Sequence, residues 1–279
     1  MKVLYREVKS VLNKSKIGSN VEYTINPYIG CTFGCKYCYA SYLSQQVKEK
    51  SEDWGSFVYV KQNVKHILEK ELKPIIKKDL KPCIMISSAT DPYQPIEEKE
   101  RVTRSIFELF SEIQFQGQVN CLTKSPLILR DVDLFKEIKN ISLSMSICHA
   151  NDKIKNFFEP NTPPIESRFA TLKKLNEIGF ITCVFMAPIL PYYGDHLDEF
   201  EDLFRRIRDV GTSRLVCDLL NIYGNMERYK NSVADSKKGR EIYLDRVNDA
   251  GYNKLMYGKI YELMDKYGFE SLGIGDTKK

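Results

Sequence analysis

The chain has 279 residues, 43% hydrophobic and 28% charged, and 42 Lys and Arg against 37 Asp and Glu leave a net charge of +5. That is the composition of a globular protein with one large core or two small ones, without repeats or low-complexity runs. The mild positive charge permits contact with nucleic acid or another anion but does not require it.

The first residues, MKVLYREVKSVLNKS, are charged from position 2 and lack the apolar core of a secretion signal. No segment approaches the roughly 18 consecutive apolar residues of a membrane span. A cytoplasmic protein without a membrane partner is expected. In a reducing compartment, eight cysteines indicate metal or redox chemistry rather than disulfides.

Short apolar, β-branched runs alternate with amphipathic stretches along the chain. The expected strands are Val21–Asn26, Cys83–Ser87, Val119–Thr123, Ile141–Cys148, Ile181–Ile189 and Leu215–Leu220. A helical stripe over Glu97–Gln114 uses Val102, Ile106, Leu109 and Ile113, and one over Glu166–Ile178 uses Phe169, Leu172, Leu175 and Ile178. Two more run through Leu197, Phe200, Leu203 and Ile207, and through Met256, Ile260, Leu263 and Tyr267. Gly179, Gly211 and Gly268 follow three of these stripes as stop signals. The lysine-rich stretches Lys61–Lys81 and Lys237–Arg240 read as solvated faces. Tyr252, Tyr257 and Tyr261 near Lys254 and Lys259 read as helix packing, with only a weak likeness to a single-strand binding pattern.

Six strand–helix alternations predict an α/β fold with a partial (β/α)6 TIM-type barrel, because a full eightfold barrel needs about 250 residues for its eight units. The expected organisation is an N-terminal extension over 1–20, the partial barrel over 21–222, and a helical C-terminal segment over 223–279 packed on it. Sites in such folds lie just after the strand ends.

The run NPYIGCTFGCKYCYA follows the first expected strand and carries Cys31, Cys35 and Cys38 as C-x3-C-x2-C. Gly30 and Gly34 let the backbone curl tightly. Three thiolates suit a [4Fe–4S] cluster with one iron left open. The alternatives are a zinc site, which wants a fourth ligand, or a non-enzymatic iron–sulfur protein. The three histidines, His66, His149 and His196, all lie far along the chain.

This cysteine loop, with Tyr37 before its last cysteine, resembles the signature of the radical S-adenosylmethionine superfamily. The loop, SSATDPYQPIE at Ser87–Glu97, LTKSP at Leu122–Pro126 and APILP at Ala187–Pro191 together resemble its spore photoproduct lyase-like branch, over residues 20 to 210 or so. The resemblance implies that the cluster binds S-adenosylmethionine through its methionyl amine and carboxylate. Reductive cleavage then yields a 5′-deoxyadenosyl radical that abstracts hydrogen from a substrate. It also implies a reductant such as flavodoxin or ferredoxin.

By the same resemblance, Tyr37 packs near the adenine, Ser88 and Asp91 face the methionyl ammonium, and Lys124 pairs with the carboxylate. Ser146, or Ser144, adds a hydroxyl. The lyase carries a hydrogen-donating cysteine where this chain has Ser88, and an O–H bond is too strong for that task. Tyr39 matches a tyrosine that assists the radical's return. Cys148, at the end of the fourth strand, is the other candidate donor. The implied enzyme is lyase-like with an unidentified substrate; a nucleic-acid lesion lyase of spore photoproduct type is the alternative. Cys121, Cys183 and Cys217 read as core residues. Glu159 and Arg168, in EPNTPPIESR, face substrate or form a surface ion pair.

Overall fold

The computed structural model describes residues 1–15, 20–220, 226–234 and 245–274. The expectation for Lys237–Arg240 falls outside them. The contacts divide the chain into two compact units, one of residues 1–34 and 43–144, the other of 35–42 and 145–279.

The first unit contains β1 (Lys2–Glu7), β2 (Leu12–Lys14), β3 (Tyr23–Ile25), β4 (Tyr28–Ile29), β5 (Phe57–Gln62), β6 (Cys83–Ile86) and β7 (Gln118–Thr123). β3, β6 and β7 pair in parallel, and β2 adds an antiparallel edge to β3. A second small sheet joins β1 in parallel and β4 antiparallel to β5. Both strands within residues 1–20 are therefore paired.

The helices of this unit are α1 (Val64–Lys77), α2 (Glu97–Glu100), α3 (Val102–Glu112) and α4 (Val132–Phe135). α1 occupies the lysine-rich stretch: its lysines are solvated, while Val64, Leu68, Leu72 and Ile75 are buried. The expected helix over Glu97–Gln114 is divided at Arg101, whose φ is +52°. The cause is Glu97. Its carboxylate accepts the Thr103 and Arg104 amides at 2.8 and 3.1 Å and so starts α3 afresh. Glu97 has no exposed surface and also accepts from Tyr28 and, at 2.7 Å, from Arg130.

The chain passes between units within β8 (Ile141–Ser146). The second unit continues through α5 (Asp152–Phe158), α6 (Ile165–Ile178), β9 (Thr182–Ile189), α7 (Leu197–Asp209), β10 (Arg214–Leu219) and α8 (Met226–Val233), then a last helix (Ala250–Tyr267) and β11 (Glu270–Ile274). β9, β10 and β11 pair in parallel. α6 buries Phe169, Leu172 and Leu175 and ends at Gly179, whose φ of +98° supplies the left-handed cap. α7 buries Phe200, Leu203, Phe204 and Ile207, with acids in its first turn and arginines in its last, as the helix dipole favours.

All six expected strands are present within two residues of their expected ends. β11 is a seventh parallel strand, so the C-terminal segment is not purely helical. It is an exposed edge, ESLGI, without the apolar run that reveals a buried strand. Among the described residues no helix is long and apolar enough to cross a membrane.

Phe107 has no exposed surface and meets Phe135 edge-on at 4.8 Å. Phe107→Ala should cost about 3–5 kcal/mol in denaturant unfolding. Tyr261→Ala, at a ring 51% exposed on the last helix, should stay within about 0.5 kcal/mol. Equal losses would contradict this assignment of the core.

Candidate functional site

The cysteine loop is built from two consecutive tight turns: the Gly34 amide donates to Cys31 O and the Cys38 amide to Cys35 O, each at 3.1 Å. None of the three cysteines is in a disulfide; Cys31 and Cys35 are buried and Cys38 is partly exposed. Among the described residues no three Cys, His, Asp or Glu side chains converge as around a single ion. Cys31 belongs to the first unit, and Cys35 and Cys38 to the second.

In the first unit, a Cβ on Gly30 would stand 2.6 Å from Phe57 O, so only glycine lets the loop start against β5. Gly34 is approached as closely: a Cβ on Gly55 would come within 2.8 Å of its Cα. Gln94 completes this half. Its side chain accepts the Thr32 amide at 2.9 Å and donates to Gly30 O at 3.3 Å, and Thr90 donates to the same carbonyl at 2.7 Å.

Asp91, after β6, is buried, and its carboxylate accepts three hydrogen bonds. They come from the Tyr93 amide at 2.9 Å, the Thr123 hydroxyl at 2.6 Å and the Lys124 amide at 2.8 Å. Burial raises its pKa against these bonds, which oppose the rise. Asp91 thus ties the end of β6 to the end of β7 and fixes where Lys124 leaves its strand. Ser88 lies beside it, its hydroxyl accepting from Asn26 Nδ2 at 3.2 Å while Asn26 Oδ1 takes the Ala89 amide at 2.9 Å.

In the second unit, the Tyr37 phenol donates to Glu159, which has no exposed surface. The other oxygen of that carboxylate takes Arg168 Nη2 at 2.5 Å, and His149 Nε2 stands 3.7 Å from the first. Arg168 is itself fully buried and donates to Ser146 O at 3.1 Å, Thr162 Oγ1 at 2.6 Å and Pro163 O. Glu159 and Arg168 therefore form an ion pair, but not a surface one: the pair bolts the cysteine loop to the end of β8. Burial first, then the charges of Glu159, Cys148 and Cys35, push the Tyr37 phenol well above its ordinary value.

Cys148 has no exposed surface and sits 3.7 Å from the Ser146 hydroxyl. Ser144 and Ser146 are both buried. Tyr39 leads a run of 3-10 turns, Tyr39–Val47, and is 48% exposed. Partial burial, with Cys38 and Tyr42, raises its phenol to about 12. Cys121, Cys183 and Cys217 are core residues. The Tyr257 hydroxyl is engaged by Asp218 at 3.2 Å, as helix packing requires.

Sequence reasoning gave no role to Asn26 and Gln94, although both lie in the motif runs, or to Gly55; their work is done largely on backbone atoms, which spacing does not reveal. It singled out Glu159 and Arg168 as facing substrate or forming a surface ion pair; they form an ion pair, and it is buried.

Arg168→Leu leaves the Glu159 carboxylate buried without its cation and should cost about 3–5 kcal/mol in denaturant unfolding. Adding Glu159→Leu should recover part of that loss, because the two residues act on one interaction. Strict additivity would remove the coupling.

The radical SAM superfamily model matches residues 25–207. An uncharacterised protein of Methanocaldococcus jannaschii is 35% identical over 191 residues, covering 68% of this chain and 69% of that one. A radical SAM Nalpha-GlyT isomerase of Pseudomonas phage M6 is 24% identical over 196 residues, 68% of this chain and 38% of the phage protein. Among solved structures, spore photoproduct lyase complexed with dinucleoside spore photoproduct aligns with a TM-score of 0.71 at 16% identity, over 98% of this chain and 81% of the lyase. Streptococcus suis SuiB bound to precursor peptide SuiA aligns at 0.59 and 14% identity, over 91% and 48%. The lyase alignment is of one α/β fold, and the family match spans the cysteine loop and five of the strands that follow it: the chain belongs to the radical SAM superfamily.

Proposed function

We propose that this chain is a radical S-adenosylmethionine enzyme in which Cys31, Cys35 and Cys38 hold a [4Fe–4S] cluster that binds the cofactor. The observation that carries this reading is the C-x3-C-x2-C loop on two tight turns, within the family-matched stretch. Soft thiolates without histidine suit iron–sulfur ligation. When bound, the cluster and cofactor supply one-electron cleavage of the sulfonium and hence hydrogen-atom abstraction from substrate.

The chain's own residues orient and shield that chemistry. Lys124, set in place by Asp91, pairs with the methionyl carboxylate. Ser88 and Asp91 serve the ammonium end, with Asp91 chiefly a support because three protein donors already occupy its carboxylate. Ser146 offers a hydroxyl, and Tyr37 packs beside the cofactor with its phenol held by Glu159. Tyr39 and Cys148 are the candidates for returning hydrogen. The partner is an electron carrier of the flavodoxin or ferredoxin kind, and eight cysteines with none in a disulfide among the described residues support a reducing, cytoplasmic setting.

Ser88, standing where spore photoproduct lyase has its donor thiol, argues against a spore photoproduct as the substrate. A nucleic-acid lesion remains the alternative substrate class, supported by the dinucleoside bound in the lyase structure.

Anaerobic reconstitution should give a brown protein whose reduced EPR spectrum changes when S-adenosylmethionine is added. A protein without a cluster, or a spectrum blind to the cofactor, would overturn the reading. Cys35→Ala should abolish 5′-deoxyadenosine formation, and undiminished formation would remove Cys35 from the ligand set. Cys148→Ala should slow product release from the radical stage without lowering 5′-deoxyadenosine yield if Cys148 returns hydrogen. Deuterium passing from a labelled substrate into 5′-deoxyadenosine identifies the substrate.

A further inference from the structure

α8 begins beyond the residues that the family model matches, yet it reaches the cysteine loop. Arg228 Nη1 donates to Cys35 O at 2.6 Å and to Lys36 O at 3.0 Å. The next residue, Tyr229, has no exposed surface and stacks on Phe158 with ring centroids 6.1 Å apart and planes 16° from parallel. Phe158 O in turn accepts the Lys36 amide at 2.8 Å. Two consecutive side chains of α8 thus grip the same arm of the loop, one directly and one through its support.

We infer that Arg228 is a positioning residue that fixes the Cys35–Tyr37 arm through its backbone and eases reduction of the cluster that the arm holds. The inference rests on the cluster reading given above. Its physics is simple. A guanidinium stays charged at any pH the protein meets, and its bonds to carbonyls are stronger than neutral ones. Bound to the carbonyl of a ligand residue, it places a fixed cation beside a site that gains negative charge on reduction, which favours the reduced form. Outer partners of this kind orient ligands as well as tune them. No cysteine, glycine or aromatic pattern in the C-terminal segment points to this role.

The test compares Arg228→Met and Arg228→Lys with the unaltered 279-residue chain after anaerobic reconstitution. Spectroscopic redox titration reads the midpoint potential. Hydrogen exchange over residues 35–38 of the metal-free proteins reads the clamp without any cluster. In Arg228→Met the ratio of reduced to oxidised cluster at a fixed potential should fall about tenfold, about 59 mV for one electron. Arg228→Lys should recover most of that loss, because it keeps the charge. The Lys36 amide should exchange several-fold faster in metal-free Arg228→Met. An unchanged midpoint in Arg228→Met, or a loss in Arg228→Lys as large as in Arg228→Met, overturns the electrostatic role. Unchanged amide exchange overturns the clamp, and it decides the matter even for a variant that fails to load iron. If the unaltered protein takes up no cluster, the cluster reading has failed, and the exchange result still judges the clamp.

Discussion

A carboxylate with no exposed surface needs partners for both oxygens, and Glu159 finds them in the Tyr37 phenol and the Arg168 guanidinium. Removing an ion pair from water costs several kcal/mol per charge unless further hydrogen bonds complete it. Here they do: Arg168 also satisfies Ser146 O, Thr162 and Pro163. The consequence is geometric. Tyr37, between Cys35 and Cys38, is tied to the strand end that carries Cys148 and His149, and the second half of the cysteine loop takes its position from that tie.

The first half of the loop depends on a different device, close backbone packing. Gly30 against Phe57 and Gly55 against Gly34 leave no room for a side chain, and Gln94 fills the remaining backbone valences. Behind it, Glu97 and Asp131, both without exposed surface, are matched by Arg104, Arg130, Tyr28 and Tyr93. The loop is short and polar, and both halves are stabilised by polar groups whose partners are fully specified.

The six expected strands were legible because each is a short apolar run between turn signals, and α6 and α7 because their buried stripes are clean. α1 was hidden by its lysines, which mask a buried face of only four residues. β1 and β11 are largely exposed and carry no apolar alternation. The division of the expected helix at Arg101 follows from Glu97 capping α3, a tertiary arrangement that no periodicity encodes. The cysteine loop was legible from its spacing alone. Asp91 was legible as the acid just after the second expected strand, but its three internal hydrogen bonds were not, since two of its donors lie more than thirty positions away.

Lys36 is held in the loop by main-chain atoms: its amide binds Phe158 O and its carbonyl takes Arg228. Its side chain instead lies over the Phe157 ring, 3.5 Å from the centroid, and Phe157 is 44% exposed. Position 36 therefore separates architecture from surface chemistry. The contacts that hold the backbone there do not involve the side chain, so the charge displayed between Cys35 and Tyr37 can be changed without redesign of the loop.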